Sequence, residues 1–350
     1  MDNYQKAISL LSDLIKTPSY SKEESKTADL IVDFLECNQV VISRKGNNIW
    51  AKNEFFDSSK PTILLNSHHD TVKPNASYTK DPFEAIEEKG KLYGLGSNDA
   101  GGPLASLIAV FLHFHKGEGL KYNLILTATA EEEISGKGGI ESLIPELPQI
   151  DFAIVGEPTQ MHMAVAEKGL MVLDCTTKGE AGHAARDEGE NAIYKALKDI
   201  EWFKNFSFPM VSDSLGPVKM SVTQINAGSQ HNVVPDECHF VVDVRTTDAY
   251  SNEATLAIIK QNVACNVNAR STRLNPSGIA LDHAIVKAGL ALGRRTYGSP
   301  TLSDQALMPF PSLKIGPGDS ARSHTADEYI ELKEIEEGIE LYIKLLKAII

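Results

Sequence analysis

Three apolar runs in this chain each stop at acidic or histidine residues, and this constrains the fold more than any other feature of the sequence. Ile63-Leu64-Leu65 leads through Asn66-Ser67 into His68-His69-Asp70-Thr71-Val72, Asn123–Thr129 runs into Glu131-Glu132-Glu133, and Ala153-Ile154-Val155 meets Gly156-Glu157. Apolar runs of this length read as buried strands. Charged groups are costly to bury unless hydrogen-bonded or coordinated, and the carboxyl ends of strands are where α/β enzymes keep their ligands. A lone His-x-Asp reads most simply as a strand stopping in a polar turn. Three such ends in one chain point instead to a shared crevice.

The segments between these runs alternate helix and strand. Asn3 to Ile15 places Ala7, Ile8, Leu11, Leu14 and Ile15 on one helical face, and Pro18 ends that helix. Ser21 with Glu24 three positions on predicts a capping box for a helix running to about Glu36. Pro103 to His115 reads as an apolar helix behind the glycine-rich turn that holds Asp99. This alternation predicts a three-layer α/β domain. From about Glu167 the order becomes β-α-β-β-α-β, that of a split-βαβ, ferredoxin-like α+β unit. The expected organisation is a discontinuous catalytic domain of residues 1–166 and 276–350, interrupted by an inserted domain of residues 167–275.

A chain of 350 residues exceeds the usual single core, in keeping with two domains. Lys+Arg 34 against Asp+Glu 47 gives a formal net charge of -13, which disfavours nucleic acid and anionic membrane surfaces as partners. The start Met1-Asp2-Asn3-Tyr4-Gln5-Lys6 lacks the pattern of a signal peptide and no run is apolar enough to span a bilayer, so the expected location is cytoplasmic. Cys37, Cys175, Cys238 and Cys265 are widely spaced, which predicts reduced thiols rather than disulfides or a thiolate zinc site.

Taken singly, the polar residues have ordinary explanations. Glu131-Glu132-Glu133 fits a solvated turn, Asp99 a helix N-cap, Glu157 a turn before Pro158, and His324 a cap near the last helix. Their joint occurrence at strand ends supplies the mixed nitrogen and oxygen donors that suit zinc.

At this point the sequence resembles the di-zinc amidohydrolases that include acetylornithine deacetylase, succinyl-diaminopimelate desuccinylase, aminoacylase and related exopeptidases. The resemblance runs through His68-x-Asp70-x-Val72, Gly96-Ser97-Asn98-Asp99, Glu132-Glu133, Val155-Gly156-Glu157-Pro158-Thr159, and Gly316-Pro317-Gly318 through His324-Thr325 to Glu328, in the family's order. It implies one zinc on His68 and Glu157, a second on Glu133 and His324, and Asp99 bridging them, with Co2+ able to substitute. It further implies that Asp70 orients His68, that His69 is not a ligand, and that Glu132 is the general acid/base for an attacking metal-bridging hydroxide. The inserted domain becomes a lid and dimerisation domain, in which His183 is similar to a histidine that reaches the partner subunit's site. Asn232, Arg245 and Gly316 become substrate-side residues, Arg245 through the affinity of its fork for an α-carboxylate.

Two departures bear on substrate. Ala100-Gly101 follows the bridging aspartate where many members have an apolar residue and lysine, and Ser303-Asp304 continues Gln305-Ala306 where desuccinylases have Gly-Arg. The resemblance therefore implies a cytoplasmic, homodimeric deacylase of a small N-α-acyl amino acid, N-acetylornithine or N-acetylcitrulline first, in arginine biosynthesis. A desuccinylase, an acetyl-lysine deacetylase and a di- or tripeptidase are the related readings. A metal-binding scaffold without catalysis is the reading from another class, and the presence of Glu132 beside the ligand set argues against it.

Overall fold

A computed structural model describes residues 2–186 and 188–350. The chain forms two compact units, 2–165 with 278–297 and 303–350, and 166–277 with 298–302. Residues 298–302, placed from sequence in the first domain, group with the second unit because the Lys168 N–H donates to the Ser299 carbonyl at 3.2 Å.

In the first unit a mixed sheet carries, in spatial order, Ile42–Lys45, Asn48–Lys52, Asn123–Thr129, Thr62–His68, Phe152–Val155, Ser312–Lys314 and Met163–Glu167. The four central strands run parallel and the outer ones antiparallel. Alternation along the central strands fills both faces. Ile63, Leu65, Leu124 and Leu126 pack with the helices Asn3–Ile15, Gly102–Phe114 and Leu332–Lys347. Leu64, Ile125, Ala153 and Val155 pack with Ile140, Leu143 and Met308 on the other face. Both faces of these strands are covered, which is why Thr62–His68 and Asn123–Thr129 are buried at every position.

The second unit is an antiparallel sheet in the order Lys219–Ala227, Glu237–Thr246, Gly169–Lys178, Asn266–Ala269, with helices Ala192–Asn205 and Asn252–Asn262 between strands in the chain. This is the ferredoxin-like arrangement expected from the element order. The four cysteines are unbridged, Cys37 exposed and the other three buried. Among the described residues no helix is long and apolar enough to cross a membrane.

One local expectation fails. The second helix, Ser25–Cys37, starts without a side-chain cap, and the capping box of Ser21 and Glu24 does not form. Ser21 bonds Asp70 instead, and Glu24 the Glu131 N–H.

Phe111 lies fully buried in the middle of Gly102–Phe114, a helix enclosed on nearly every side. Phe111→Ala removes an aromatic ring from a site with little room to collapse. It is expected to lower stability by about 3–5 kcal/mol, measured by urea unfolding of the first unit's signal.

Candidate metal and catalytic site

Parallel register brings the three strand ends level: His68 lies opposite Thr129 and Asn66 opposite Val155. The residues that follow therefore converge. His68 Nε2 stands 3.4 Å from Asp99 Oδ1, 3.7 Å from Glu132 Oε2 and 3.8 Å from Glu157 Oε1. His324 Nε2 stands 3.0 Å from Glu133 Oε2 and 3.6 Å from Asp99 Oδ2. Asp99 thus presents one oxygen to each histidine, with Glu157 near the first and Glu133 near the second. All five residues that the family resemblance names as ligands meet in one place.

Asp70 is the hub beneath them. Its carboxylate lies 3.4 Å from His68 Nδ1 and accepts the N–H groups of Glu132 (3.0 Å) and Glu133 (3.2 Å) and the hydroxyl of Ser21 (2.7 Å). His68 Nδ1 is also 3.0 Å from the Asp70 carbonyl, which fixes the ring and leaves Nε2 facing the carboxylates. Adjacent His69 points to the other side of the strand end, where Thr27 Oγ1 and the Asn47 carbonyl, each at 2.9 Å, occupy its two nitrogens. Glu131 also turns away: it adopts a left-handed φ of 57° and its carboxylate accepts the Gly138 N–H at 3.2 Å.

Two supporting acids have tasks that the sequence does not disclose. Glu328, buried, accepts the N–H groups of Gly96 (3.1 Å), Asn98 (2.9 Å) and Asp99 (2.9 Å), so one carboxylate shapes the loop that aims Asp99. Asp304, also buried, accepts from Asn66 Nδ2 (2.8 Å) and Thr129 Oγ1 (2.7 Å) and so ties two strand ends together.

The electrostatics follow from this crowding. Burial pushes the Glu132 carboxyl well above the usual range; His68 draws it back, and Glu157, Asp304 and Glu133 reinforce the rise. Burial likewise lifts Glu328 to about 8, with Asp99 adding to it, and Asp304 to about 6. Burial opposes a charge on His68, yet the surrounding carboxylates, Glu132 first, win and raise its pKa well above normal. His324 rises to about 9, chiefly through its hydrogen bond to Glu133.

The donor set fits cations. His68 Nε2 is buried without a hydrogen-bond partner, its neighbours standing just beyond hydrogen-bond length. Two atoms each about 2.0–2.1 Å from a tetrahedral zinc lie about 3.3–3.4 Å apart, which is the spacing of shared ligands rather than of bonded partners. His68, Asp99 and Glu133, and His68, Glu132 and Glu157, each form a group able to hold a metal ion.

The residues expected to touch substrate are placed differently. Gly316 is committed to its neighbours: its N–H donates to Thr159 Oγ1 (3.0 Å) and its carbonyl accepts from Thr159 (3.1 Å) and Met161 (2.9 Å). A β-carbon there would come within 2.5 Å of the Glu157 carbonyl oxygen. Gly316 thus packs against the segment that seats Glu157. Arg245 in the second unit engages Asp243 through Nε (2.9 Å) and Nη2 (3.2 Å), which uses two of its five N–H donors. His183 and Asn232 are exposed and lie together, the Ala184 N–H donating to the Asn232 carbonyl at 3.0 Å and His183 pairing with Val233. Both sit beyond the end of the sheet where Lys178 pairs with Glu237, whereas Arg245 pairs with Leu170 at the other end. Eight strand residues at about 3.3 Å each separate the two ends by roughly 26 Å.

A parallel-stranded α/β unit with carboxylates and histidines converging at its strand ends is the construction of a metal-dependent amidohydrolase. The chain belongs to the peptidase family M20/M25/M40, whose profile matches residues 64–348. It is similar to a Pyrobaculum aerophilum protein assigned as a LysW-lysine/LysW-ornithine hydrolase, at 28% identity over 93% of each chain. It is equally similar, at 28%, to the acetylornithine deacetylase of Proteus mirabilis, with 97% of this chain and 96% of the relative covered. The fold matches aminopeptidase PepT of Bacillus cereus with a TM-score of 0.79 at 17% identity, over 99% of this chain and 98% of that one. It also matches the YXEP protein of Bacillus subtilis, described as a dinuclear metal-binding peptidase of the M20 family, with a TM-score of 0.75 at 18% identity over 98% and 97%.

If cations neutralise the cluster, chelator-treated protein should gain stability when Zn2+ or Co2+ is restored. A cation at about 100 times its Kd adds about 2.7 kcal/mol. The thermal unfolding midpoint should rise by several degrees in the native chain and by less in His68→Ala, which keeps the Glu133 and His324 side of the cluster; no rise in the native chain would leave protons as the neutralising species.

Proposed function

We propose that this hydrolase removes the acyl group from the α-nitrogen of an amino acid, N-acetylornithine or N-acetylcitrulline first. The observation that carries the reading is the placing of Glu132, whose side chain is 12% exposed and makes no bond that the fold needs, 3.7 Å from the orphaned Nε2 of His68. Two zinc ions, held by His68 and Glu157, by Glu133 and His324, and jointly by Asp99, would supply Lewis-acid polarisation and a more acidic water. Glu132 takes the proton as water adds to the amide carbon and delivers it to the nitrogen as the C–N bond breaks. The products are the carboxylate of the acyl group and the free amine. Asp70 keeps His68 in the tautomer that leaves Nε2 unprotonated toward the site, a task metal-bound histidines commonly need done. Similarity to the named acetylornithine deacetylases over nearly the whole chain supports the substrate class.

The side chains at 304–306 favour acetyl over succinyl. Asp304, Gln305 and Ala306 form a buried turn, and no basic side chain stands where desuccinylases have arginine. Hydrolysis of N-acetylornithine, N-acetylcitrulline, N-succinyl-diaminopimelate, N-acetyl-lysine and a tripeptide with Zn2+ or Co2+ should rank one of the first two highest. Glu132→Gln should retain its metal and lose kcat by roughly 10²-fold or more. Turnover of none of these amides would sink the reading, and unchanged turnover in Glu132→Gln would remove that residue from it.

We further propose a homodimer formed through the second unit, with His183 acting in the partner's site. Two features support it. Tyr194 and Leu197 on the helix Ala192–Asn205 and Ile225 on the edge strand Lys219–Ala227 are exposed apolar side chains. His183 and Arg245 lie at opposite ends of one sheet, so if both serve catalysis they serve different centres. Mixing His183→Ala with Glu132→Gln subunits, each inactive alone, should restore up to about a quarter of native activity to the mixture, about half of whose dimers are heterodimers with one intact centre of two. No recovery on mixing would confine His183 to its own subunit or remove it from the reaction.

A further inference from the structure

We propose that the loop 19–24, between the first two helices, is a positioning element for the turn that carries Glu132 and Glu133, with Ser21 and Glu24 as its acting residues. The inference rests on the reading of Glu132 as the general base. The family profile begins at residue 64 and assigns nothing to this loop.

The turn has a demanding task. Two consecutive carboxylates must face different histidines: Glu132 lies 3.7 Å from His68 and Glu133 3.0 Å from His324. To achieve this the chain passes through Glu131 in the left-handed region, at a φ of 57°, which a residue with a β-carbon adopts only when held there. Three successive N–H groups do the holding, and two buried carboxylates receive them. The Glu131 N–H donates to Glu24 Oε1 (3.2 Å), that of Glu132 to Asp70 Oδ1 (3.0 Å), and that of Glu133 to Asp70 Oδ2 (3.2 Å).

Both receiving carboxylates are secured by the loop. Ser21 Oγ donates to Asp70 Oδ2 at 2.7 Å. Glu24, fully buried, is fixed by the Lys22 N–H (2.5 Å) and Asn47 Nδ2 (2.8 Å). The loop itself is docked on the strand end by the Thr71 N–H, which donates to the Ser19 carbonyl at 2.9 Å, and by a parallel bridge from Tyr20 to Thr71. A buried glutamate beside a helix start is ordinarily a cap. Glu24 makes no side-chain cap bond to the helix Ser25–Cys37, so its burial is explained only by the turn, the loop and Asn47.

Removing a hydrogen bond to a charged group at such a point is expected to cost about tenfold in the step that depends on it. Ser21→Ala and Glu24→Gln, in the full chain loaded with Co2+, should lower kcat about tenfold while KM stays within about twofold. Both should weaken Co2+ binding about tenfold, read from visible absorption, because Glu133 rides on the same turn. Ser21→Thr, which keeps the hydroxyl, should return both quantities to within about twofold of native. Native kcat and Co2+ affinity in Ser21→Ala would overturn the proposal, as would Ser21→Thr behaving like Ser21→Ala. Should Glu24→Gln fail to fold, the serine pair decides alone. If the native chain hydrolyses none of the amides tested, the functional reading fails, while the Co2+ titrations still judge the loop.

Discussion

Like charges gathered at the ends of parallel strands set the terms for the rest of this molecule. Two carboxylates about 4 Å apart repel by roughly 4 kcal/mol at an effective dielectric of 20, and a whole domain is stable by only about 5–15 kcal/mol. Asp99, Glu132, Glu133 and Glu157 gather around His68 and His324, which are their closest cationic partners among the contacts of the site. Such a group is kept in a fold only when something positive arrives to share the charge. The orphaned Nε2 of His68 marks where it arrives, since a buried ring nitrogen without a partner is otherwise a plain loss.

The sheet answers for rigidity and the turns for direction. Thr62–His68 and Asn123–Thr129 are held on both faces by side chains, so their ends cannot drift relative to one another. Direction is supplied one residue at a time by buried acids that accept backbone N–H groups: Asp70 and Glu24 for the turn at 131–133, Glu328 for the loop at 96–99. The acids of this site therefore divide into those that face the histidines and those that set the backbone of the first kind. Asp70 belongs to both groups, which makes it the residue through which His68 and Glu132 are kept in mutual register.

The same division explains what can be read from the sequence. Strands and helices are legible because periodicity and apolar runs are local; the strand Asn123–Thr129 and the helix Asn3–Ile15 have the bounds expected of them. That several strands end in acids is legible too, but which acid faces which histidine comes only through the ordered family resemblance. Ser21 and Glu24 mislead because their spacing is that of a capping box, and the competing partners, Asp70 and the Glu131 N–H, lie 49 and 107 residues away. The holding tasks of Glu328 and Asp304 stay hidden for the same reason: their partners are 229 to 232 and 175 to 238 residues distant. Gly316 stands out in sequence, but its close approach to the Glu157 backbone does not, because the two are far apart in the chain.

A centre built this way is indifferent to most of its substrate. The groups that face one another at the strand ends meet a carbonyl, a water and a nitrogen, which every amide provides. That is consistent with relatives named as acetylornithine deacetylase and as a hydrolase of LysW-linked amino acids at the same 28% identity. Discrimination between acyl groups and side chains must come from residues with no duty in the metal set or its backbone supports. The buried turn at Asp304–Leu307 shows the division: Asp304 is committed to the strand ends through Asn66 and Thr129, while Gln305 and Ala306 bring no cation to the turn.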